Sequence, residues 1–171
     1  MYQKPLTLGV DIVVHSASKY ISGHSDVVAG LVIASQQRID EISRGVSPFL
    51  GGKLSANEAW LLIRGLRTLP LRMRHHQQSA LTIAGQLCDH PQVTRVYHPG
   101  LNPAPFSTLS GYSGLFSFEL DESVDIPRFC NALRLFHMGV SWGGFESLVM
   151  PAISVLNQAG EFNSARDFGV S

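Results

Sequence analysis

The sequence contains little charge, no long apolar run and no excess of charge of either sign. Only 15% of its 171 residues are charged, against about 25% in a typical soluble domain. Lysine plus arginine and aspartate plus glutamate each number 13, so net charge does not attract a phosphate backbone, and we expect no nucleic-acid partner. The longest near-apolar segment, residues 27–34, is too short to cross a bilayer, and we expect no membrane partner either.

Cysteine is also scarce. Cys88 and Cys130 are far apart in the sequence, and neither has the CxxC spacing of a redox or zinc motif. Both fall in helix-like apolar patterns, so we predict buried thiols, with a disulfide between them as the alternative. The amino-terminal residues carry no basic stretch followed by a long apolar one. We therefore expect a cytoplasmic protein.

The pattern of apolar and turn-forming residues predicts a mixture of strands and helices, of α/β or α+β type. Strands are predicted at 11–15, 27–34, 93–97 and 114–120, helices at 36–44, 56–69, 71–90 and 125–136, and loops at 45–54 and 99–113. The first two strands are apolar on both faces, which is typical of the middle of a parallel or mixed sheet covered by helices. Ser55 and Glu58 have the spacing of a capping box, and Pro70 is expected to end the helix that begins there.

The most informative segment is His15–Tyr20, directly after the first predicted strand. Lys19 is one of only three lysines, and it lies where open α/β sheets bind their ligands. Partial burial there favours the neutral amine, the nucleophile that attacks aldehydes. The hydroxyls of Ser16 and Ser18 flank the lysine and can hydrogen-bond a phosphate. From residue types alone, a surface lysine in a serine-rich turn is the alternative.

Two other groups of polar residues do not predict a site. His24, Ser25 and Asp26 are adjacent on one turn and cannot face each other as a catalytic triad must, so we predict a polar loop beside the lysine. His75 and His76 would point about 100° apart on a helix, which is unsuited to chelation. We therefore predict no metal site.

Five blocks of sequence carry a resemblance to a known family. HSASKYISGHSDVVAG at 15–30 resembles the lysine segment of the Cys/Met-metabolism (transsulfuration) enzymes, which depend on pyridoxal phosphate. The other four blocks follow in the family's order and are RGLRTL with LRMR (64–74), HPQV with PGL (90–101), SGLFSF (113–118) and SWGGFESL (141–148). They span nearly the whole chain, so the sequence is identified as a member of this family.

The resemblance implies a fold and a set of site residues. Residues 1–75 would be the carboxyl-terminal part of a large domain of the fold type I, pyridoxal-phosphate-dependent transferase class. Residues 76–171 would be a smaller α+β domain, truncated at its end. Lys19 would link covalently to pyridoxal 5'-phosphate and then move the substrate's Cα proton. Ser16 and Ser18 would bind the cofactor phosphate, whereas Ser141 and the backbone around Trp142 would hold the substrate carboxylate.

The resemblance also implies an activity. The SWGG turn and the SGLFSF strand look most like those of the β-eliminating members, whereas γ-lyases and γ-synthases more often carry leucine at the position of Trp142. We therefore expect a carbon–sulfur lyase of methionine biosynthesis that acts on cystathionine or a related sulfur amino acid. Its products would be a thiol, ammonia and a 2-keto acid. A γ-lyase or γ-synthase, or a non-catalytic remnant, is the alternative.

The resemblance also implies a chain length and an oligomeric assembly. Family enzymes are more than twice as long as this chain, and much of their cofactor cradle has no counterpart in it. They assemble as homo-oligomers, tetramers built from dimers. We therefore expect a homo-oligomer, and we expect the 171-residue chain by itself to be inactive or nearly so.

Overall fold

The computed structural model describes residues 1–105 and 107–152. Helices and strands are mixed along the chain, as the sequence predicts. In chain order they are β1 (Ile12–Ser16), β2 (Gly30–Ala34), α1 (Gln36–Arg44), α2 (Ser47–Leu50), α3 (Ala56–Cys88), β3 (Val93–Tyr97), β4 (Ser117–Leu120), α4 (Ile126–Ala132), β5 (His137–Met138) and β6 (Leu148–Val149). In the described part of the chain, no helix is both long and apolar enough to span a membrane.

Strands β1 and β2 form an antiparallel pair, so the prediction that they lie in a parallel or mixed sheet is wrong for the described residues. Val14 is paired with Val32 and Val13 with Ile33. Because paired residues of neighbouring strands point to the same face, Val14 and Val32 share one face, and they are 76% and 45% exposed. The predicted burial of both faces is therefore also wrong, since no described element covers this one.

Helix α3 is a single helix of 33 residues that continues through Pro70, so the predicted break at this proline is wrong. A proline in a helix removes one backbone hydrogen bond and crowds the preceding turn. Side chains brace that turn, because the carbonyl oxygen of Gly65 accepts hydrogen bonds from Thr68 Oγ1 (3.2 Å) and Arg72 Nη2 (2.8 Å). The predicted start of the helix is confirmed, since Ser55 and Glu58 form a complete capping box.

Several smaller features differ from the prediction. Cys88 is exposed at the end of α3, and Cys130 is partly buried, so the prediction of two buried thiols is wrong for Cys88; both are free thiols. Helix α4 ends at Ala132 because the backbone of Leu133 is extended. The segment predicted as a loop at 45–54 includes the short helix α2. The predicted domain boundary between residues 75 and 76 falls inside α3 and stays a prediction.

The core that matters for the site lies under the turn that follows β1. Ala17, Ile21, Val27 and Leu62 form a buried apolar cluster. Leu62 comes from α3, so this cluster packs the long helix against the segment that joins β1 to β2. Strands β3 and β4 form a second antiparallel pair, and β5 and β6 form a short parallel pair. The turn between β5 and β6 returns the chain to the segment after β1.

Candidate functional site

Lys19 lies on a short turn of π-helical type, Ala17–Ile21, that begins where β1 ends. The turn is tied to the chain before β2, because the amides of Ala17 and Ser18 both donate to the carbonyl oxygen of Ala29, at 2.9 and 3.2 Å. Ala17 is fully buried and Ile21 nearly so, whereas Lys19 is half-buried. The backbone beneath the lysine is therefore fixed by packing, and the predicted partial burial of its side chain is confirmed.

The turn between β5 and β6 brings two further predicted residues to this lysine. Lys19 Nζ donates a hydrogen bond to Ser141 Oγ at 3.0 Å. The same nitrogen lies 4.4 Å from the ring centroid of Trp142, so the indole face attracts the charged form of the amine. Gly143 has a φ of +82°, and a Cβ there would lie 2.6 Å from Tyr20 N. Only glycine suits both this backbone conformation and the close approach of the two segments.

A cleft of about 390 Å³ opens beside Lys19. Its size falls within the range of about 300–1,000 Å³ that is usual for small-molecule sites. It is lined by Ser18, Lys19, Ser25, Asp26, Val27, Val28 and Ser141. The structure thus brings Lys19, Ser18 and Ser141 to one cleft with Trp142 against the lysine. Ser16, the last residue of β1, is exposed and does not line this cleft.

A second link between the two segments was not predicted from the sequence. Ser25 Oγ donates to Glu146 Oε2 at 2.7 Å. This hydrogen bond is the main cause that lowers the pKa of Glu146 below its usual value. The two residues are 121 positions apart, and no local spacing signals such a pair. The polar loop predicted at His24–Asp26 is therefore one side of the contact that holds the β5–β6 turn in place.

The residues of the cleft fit one end of pyridoxal phosphate better than the other. The Lys19 amine stands at the cleft wall, where it can meet an aldehyde. The Ser18 hydroxyl already donates to the carbonyl oxygen of Ala29 at 3.2 Å and accepts from the amide of Ala29 at 2.9 Å. It can donate to a phosphate oxygen only by giving up the first of these bonds. The described residues therefore fit the aldehyde end fully and the phosphate end in part.

No cluster of three or more His, Cys, Asp or Glu side chains in residues 1–105 and 107–152 is arranged to hold a metal ion. The carboxyl group of Asp26 also lines the cleft, and that of Glu146 is bonded to Ser25, another residue of the lining. The site therefore offers an amine, serine hydroxyls, the Asp26 carboxyl group and, at Trp142, an aromatic face.

Comparison with known proteins agrees with this geometry. The sequence matches the family described as "Cys/Met metabolism PLP-dependent enzyme" over residues 1–169. It is 43% identical to an L-methionine γ-lyase of Pseudomonas deceptionensis over 99% of this chain and 44% of that protein. It is 41% identical to a cystathionine β-lyase of Bordetella avium over 85% of this chain and 38% of that protein.

Solved structures give the same result. The cystathionine γ-synthase of Xanthomonas oryzae pv. oryzae, in complex with cystathionine, matches with a TM-score of 0.87 and 39% identity, over 99% of this chain and 45% of that one. The cystathionine γ-lyase of Lactobacillus plantarum, complexed with L-serine, matches with a TM-score of 0.78 and 42% identity, over 85% and 40%.

The chain spans less than half the length of each of these relatives. The match nevertheless extends over almost all of its residues and includes the turn that carries Lys19 and the turn that carries Ser141. The predicted family and its fold type I class are confirmed. The chain belongs to the Cys/Met metabolism family of pyridoxal-phosphate-dependent enzymes.

Proposed function

We propose that this chain carries the lysine-bearing part of a pyridoxal-phosphate-dependent carbon–sulfur lyase that acts on a small sulfur amino acid. One observation carries the proposal. The amine of Lys19 is held in an open cleft between the Ser141 hydroxyl and the face of Trp142. An amine held in this way can bind an aldehyde and then exchange a proton with a substrate at a fixed position.

The residues of the chain have separate tasks in this proposal. When bound, pyridoxal phosphate supplies an electron sink for the pair left behind as the substrate's Cα–H bond breaks. Lys19 Nζ takes the Cα proton. Ser141 keeps the amine within reach, and the face of Trp142 stabilises the ammonium that results. Ser16 and Ser18 are assigned to the cofactor phosphate, Ser18 after rotation away from Ala29.

Ser141 can serve the lysine and the substrate at the same time. A serine hydroxyl has one proton to donate and two lone pairs to accept with. Its oxygen accepts from Lys19 Nζ, which leaves its own proton free to donate to a substrate carboxylate oxygen. Backbone groups around Trp142 would complete that contact. The proposal thus assigns one hydroxyl to both the base and the substrate.

For the bond that breaks, we propose β-elimination of cystathionine or a related amino acid, giving a thiol, ammonia and a 2-keto acid. Trp142 supports this choice, because it occupies the position where γ-eliminating members more often carry leucine. γ-Elimination or γ-replacement is the second candidate, since the chain is 43% identical to an L-methionine γ-lyase and 42% identical to a cystathionine γ-lyase. Both chemistries begin with removal of the Cα proton, so both use the same lysine.

The lysine assignment is tested on the purified 171-residue chain. The chain is incubated with pyridoxal phosphate, reduced with borohydride, digested and mapped by mass spectrometry. We expect label on Lys19 in preference to Lys4 and Lys53. Equal labelling of the three lysines, or no labelling, would contradict the assignment. The chain alone is expected to show little or no lyase turnover, so measurable turnover would overturn that part of the proposal.

The choice between β and γ is tested in a chimera. Residues 1–152 replace the corresponding segment of the Bacillus subtilis cystathionine γ-lyase, with which the chain is 42% identical. β-Elimination of cystathionine gives pyruvate, whereas γ-elimination gives 2-oxobutyrate. We expect more pyruvate from this chimera than from the same chimera carrying Trp142→Leu. An unchanged product ratio would remove the support that Trp142 gives to β-elimination.

We also propose a cytoplasmic homo-oligomer, a tetramer built from dimers. Its support is the apolar surface that this chain leaves open, which includes Val14, Val28 and Phe49 at 76%, 88% and 86% exposure. Large exposed apolar surface often marks a protein interface. Light scattering during size-exclusion chromatography gives the mass of the particle directly. A single species of monomer mass over a wide range of concentration would contradict the proposal for this chain.

A further inference from the structure

The guanidinium of Arg72 joins α3 to the turn that carries Lys19. Its Nη1 donates to the carbonyl oxygen of Tyr20 at 2.8 Å, and its Nη2 donates to that of Ile21 at 3.4 Å. Its remaining bonds lie within α3, from Nη2 to Gly65 O at 2.8 Å and from Nε to Thr68 Oγ1 at 3.0 Å. Nε and Nη2 therefore fix the guanidinium on the helix, and Nη1 and Nη2 hold two consecutive carbonyls of the turn.

The last two carbonyl oxygens of the turn need a hydrogen-bond donor from another part of the chain. The carbonyls of Ala17 and Lys19 accept from the amides of Ser22 and Gly23. Tyr20 and Ile21 come at the end of the turn, where carbonyls have no further amide to accept from. Arginine is suited to the task because its donors form a rigid planar fork, whereas a lysine presents one compact ammonium. A Cβ at Gly23 would overlap the guanidinium, so glycine there leaves the space that Arg72 fills.

The orientation of Lys19 depends on the residue after it in the chain. The lysine backbone departs from helical geometry, with a ψ of −125°, so the side chain does not take the direction it would have on a regular helix. The next residue is held from two sides. Tyr20 N lies against Gly143, and Tyr20 O accepts from Arg72. The backbone of Tyr20, directly after the lysine, is thereby fixed between α3 and the β5–β6 turn.

We propose that Arg72 is a positioning residue for Lys19. It holds the carbonyls of Tyr20 and Ile21 so that the lysine amine points at Ser141 and Trp142. This inference rests on the proposed function for its relevance to catalysis, because Lys19 is the group that would meet cofactor and substrate. Arg72 itself does not line the cleft.

The test compares Arg72→Met and Arg72→Lys with Arg74→Met, a change of an exposed arginine two residues further along α3. The first readout is amide hydrogen exchange at Ser22 and Gly23. The second is the ratio of Lys19 to Lys4 label after incubation with pyridoxal phosphate and reduction with borohydride. We expect Arg72→Met to speed the exchange and lower the ratio, each by about tenfold, as removal of charge-assisted hydrogen bonds predicts. Arg72→Lys should fall between Arg72→Met and the unchanged chain.

Two controls separate positioning from general stability. Ala80→Gly weakens α3 at a buried position away from the turn. Adding methylguanidinium at a non-denaturing concentration should restore the labelling ratio in Arg72→Met and leave Ala80→Gly unchanged. The proposal is overturned if Ala80→Gly or Arg74→Met lowers the ratio as much as Arg72→Met does. It is also overturned if exchange at Ser22 and Gly23 is the same in Arg72→Met as in the unchanged chain.

The two proposals can fail separately. Equal labelling of all three lysines in the unchanged chain would count against the proposed function. The exchange measurement does not involve the cofactor, so it still decides the role of Arg72 in that case. Faster exchange confined to Ser22 and Gly23, with β3 and β4 unaffected, would support the positioning role. Unchanged exchange would refute it.

Discussion

Lys19 and Ser141 are 122 residues apart in the sequence, yet Lys19 Nζ and Ser141 Oγ form a hydrogen bond of 3.0 Å. The lysine belongs to the turn after β1, and the serine belongs to the turn between β5 and β6. Long helix α3 and strands β3 and β4 intervene. The proposed active site is therefore assembled by tertiary packing, and its geometry depends on residues at the contact between these two turns as much as on the lysine.

Replacing Ser141 with alanine tests whether the position of the Lys19 amine depends on its hydrogen bond to Ser141. Ser141→Ala removes the acceptor that holds the Lys19 amine, so the preference of pyridoxal phosphate for Lys19 over Lys4 should fall about fivefold to tenfold, the effect of one charge-assisted hydrogen bond. Ser141→Thr keeps the hydroxyl and should retain most of the preference. Ser43→Ala, at an exposed position of α1, is the control. The measurement is borohydride trapping with peptide mapping, and an unchanged preference in Ser141→Ala would contradict the assigned role.

Replacing Gly143 with alanine tests the close approach of Gly143 to Tyr20. Gly143→Ala places a Cβ 2.6 Å from Tyr20 N on a backbone with a φ of +82°. Crowding and unfavourable backbone geometry together should lower the free energy of unfolding by about 2–4 kcal/mol. Gly52→Ala is the matched control, because nothing lies within 4 Å of the added atom and the φ is not positive. Urea unfolding measures both variants, and similar stabilities would show that the two turns do not meet as described.

Two glycines of α3 should respond to alanine in opposite directions. A Cβ at Gly65 would overlap the carbonyl oxygens of Ile21 and Ser22, whereas a Cβ at Gly85 meets nothing within 4 Å. Alanine is favoured over glycine in a helix by about 1 kcal/mol. Gly85→Ala should therefore raise the unfolding midpoint, and Gly65→Ala should lower it because backbone atoms cannot move aside cheaply. If Gly65→Ala proves as stabilising as Gly85→Ala, helix α3 does not pack against the lysine turn.

Local signals in the sequence predicted local structure well. The capping box of Ser55 and Glu58 is present because its hydrogen bonds span only three residues. Helix α1 and strand β3 have the bounds expected from their apolar patterns. Lys19 stood out because it follows a strand and lies in a motif resembling that of a known family. These features depend on neighbours in the sequence, which a single sequence displays.

Features that depend on distant contacts were not predictable in the same way. Local sequence alone favours a helix break at Pro70. The helix continues there with the preceding turn braced by Arg72, whose side chain also reaches the lysine turn. The Ser25–Glu146 hydrogen bond joins two polar loops with no shared pattern. The antiparallel pairing of β1 and β2 follows from the path of the chain between them, which apolar content does not specify. In each case the deciding interaction is made by residues far apart in the sequence.

His76 should make the stability of the chain depend on pH. Its ring packs edge-on against Tyr20, with centroids 5.3 Å apart. Burial is the main cause that lowers the pKa of His76 below its usual value, and the positive charges of Arg72 and His75 lower it further. Between the lowered pKa and a pH of about 6.5, the ordinary value for histidine, the unfolded chain binds a proton that the folded chain does not. The contribution of His76 to stability is therefore complete above that pH and is lost as the pH falls towards the lowered pKa.

The expected result is a midpoint of urea unfolding that falls between pH 7.5 and pH 5.5, and falls less in His76→Gln, which cannot take up the proton. His75→Gln is the matched control, since His75 is exposed, and it should leave most of the pH dependence in place. Arg72→Met removes one of the positive charges and should raise the pKa of His76, which the titration of its ring protons by NMR measures directly. A pH dependence that is the same in His76→Gln as in the unchanged chain would show that another group carries it and that the ring beside Tyr20 is free to charge.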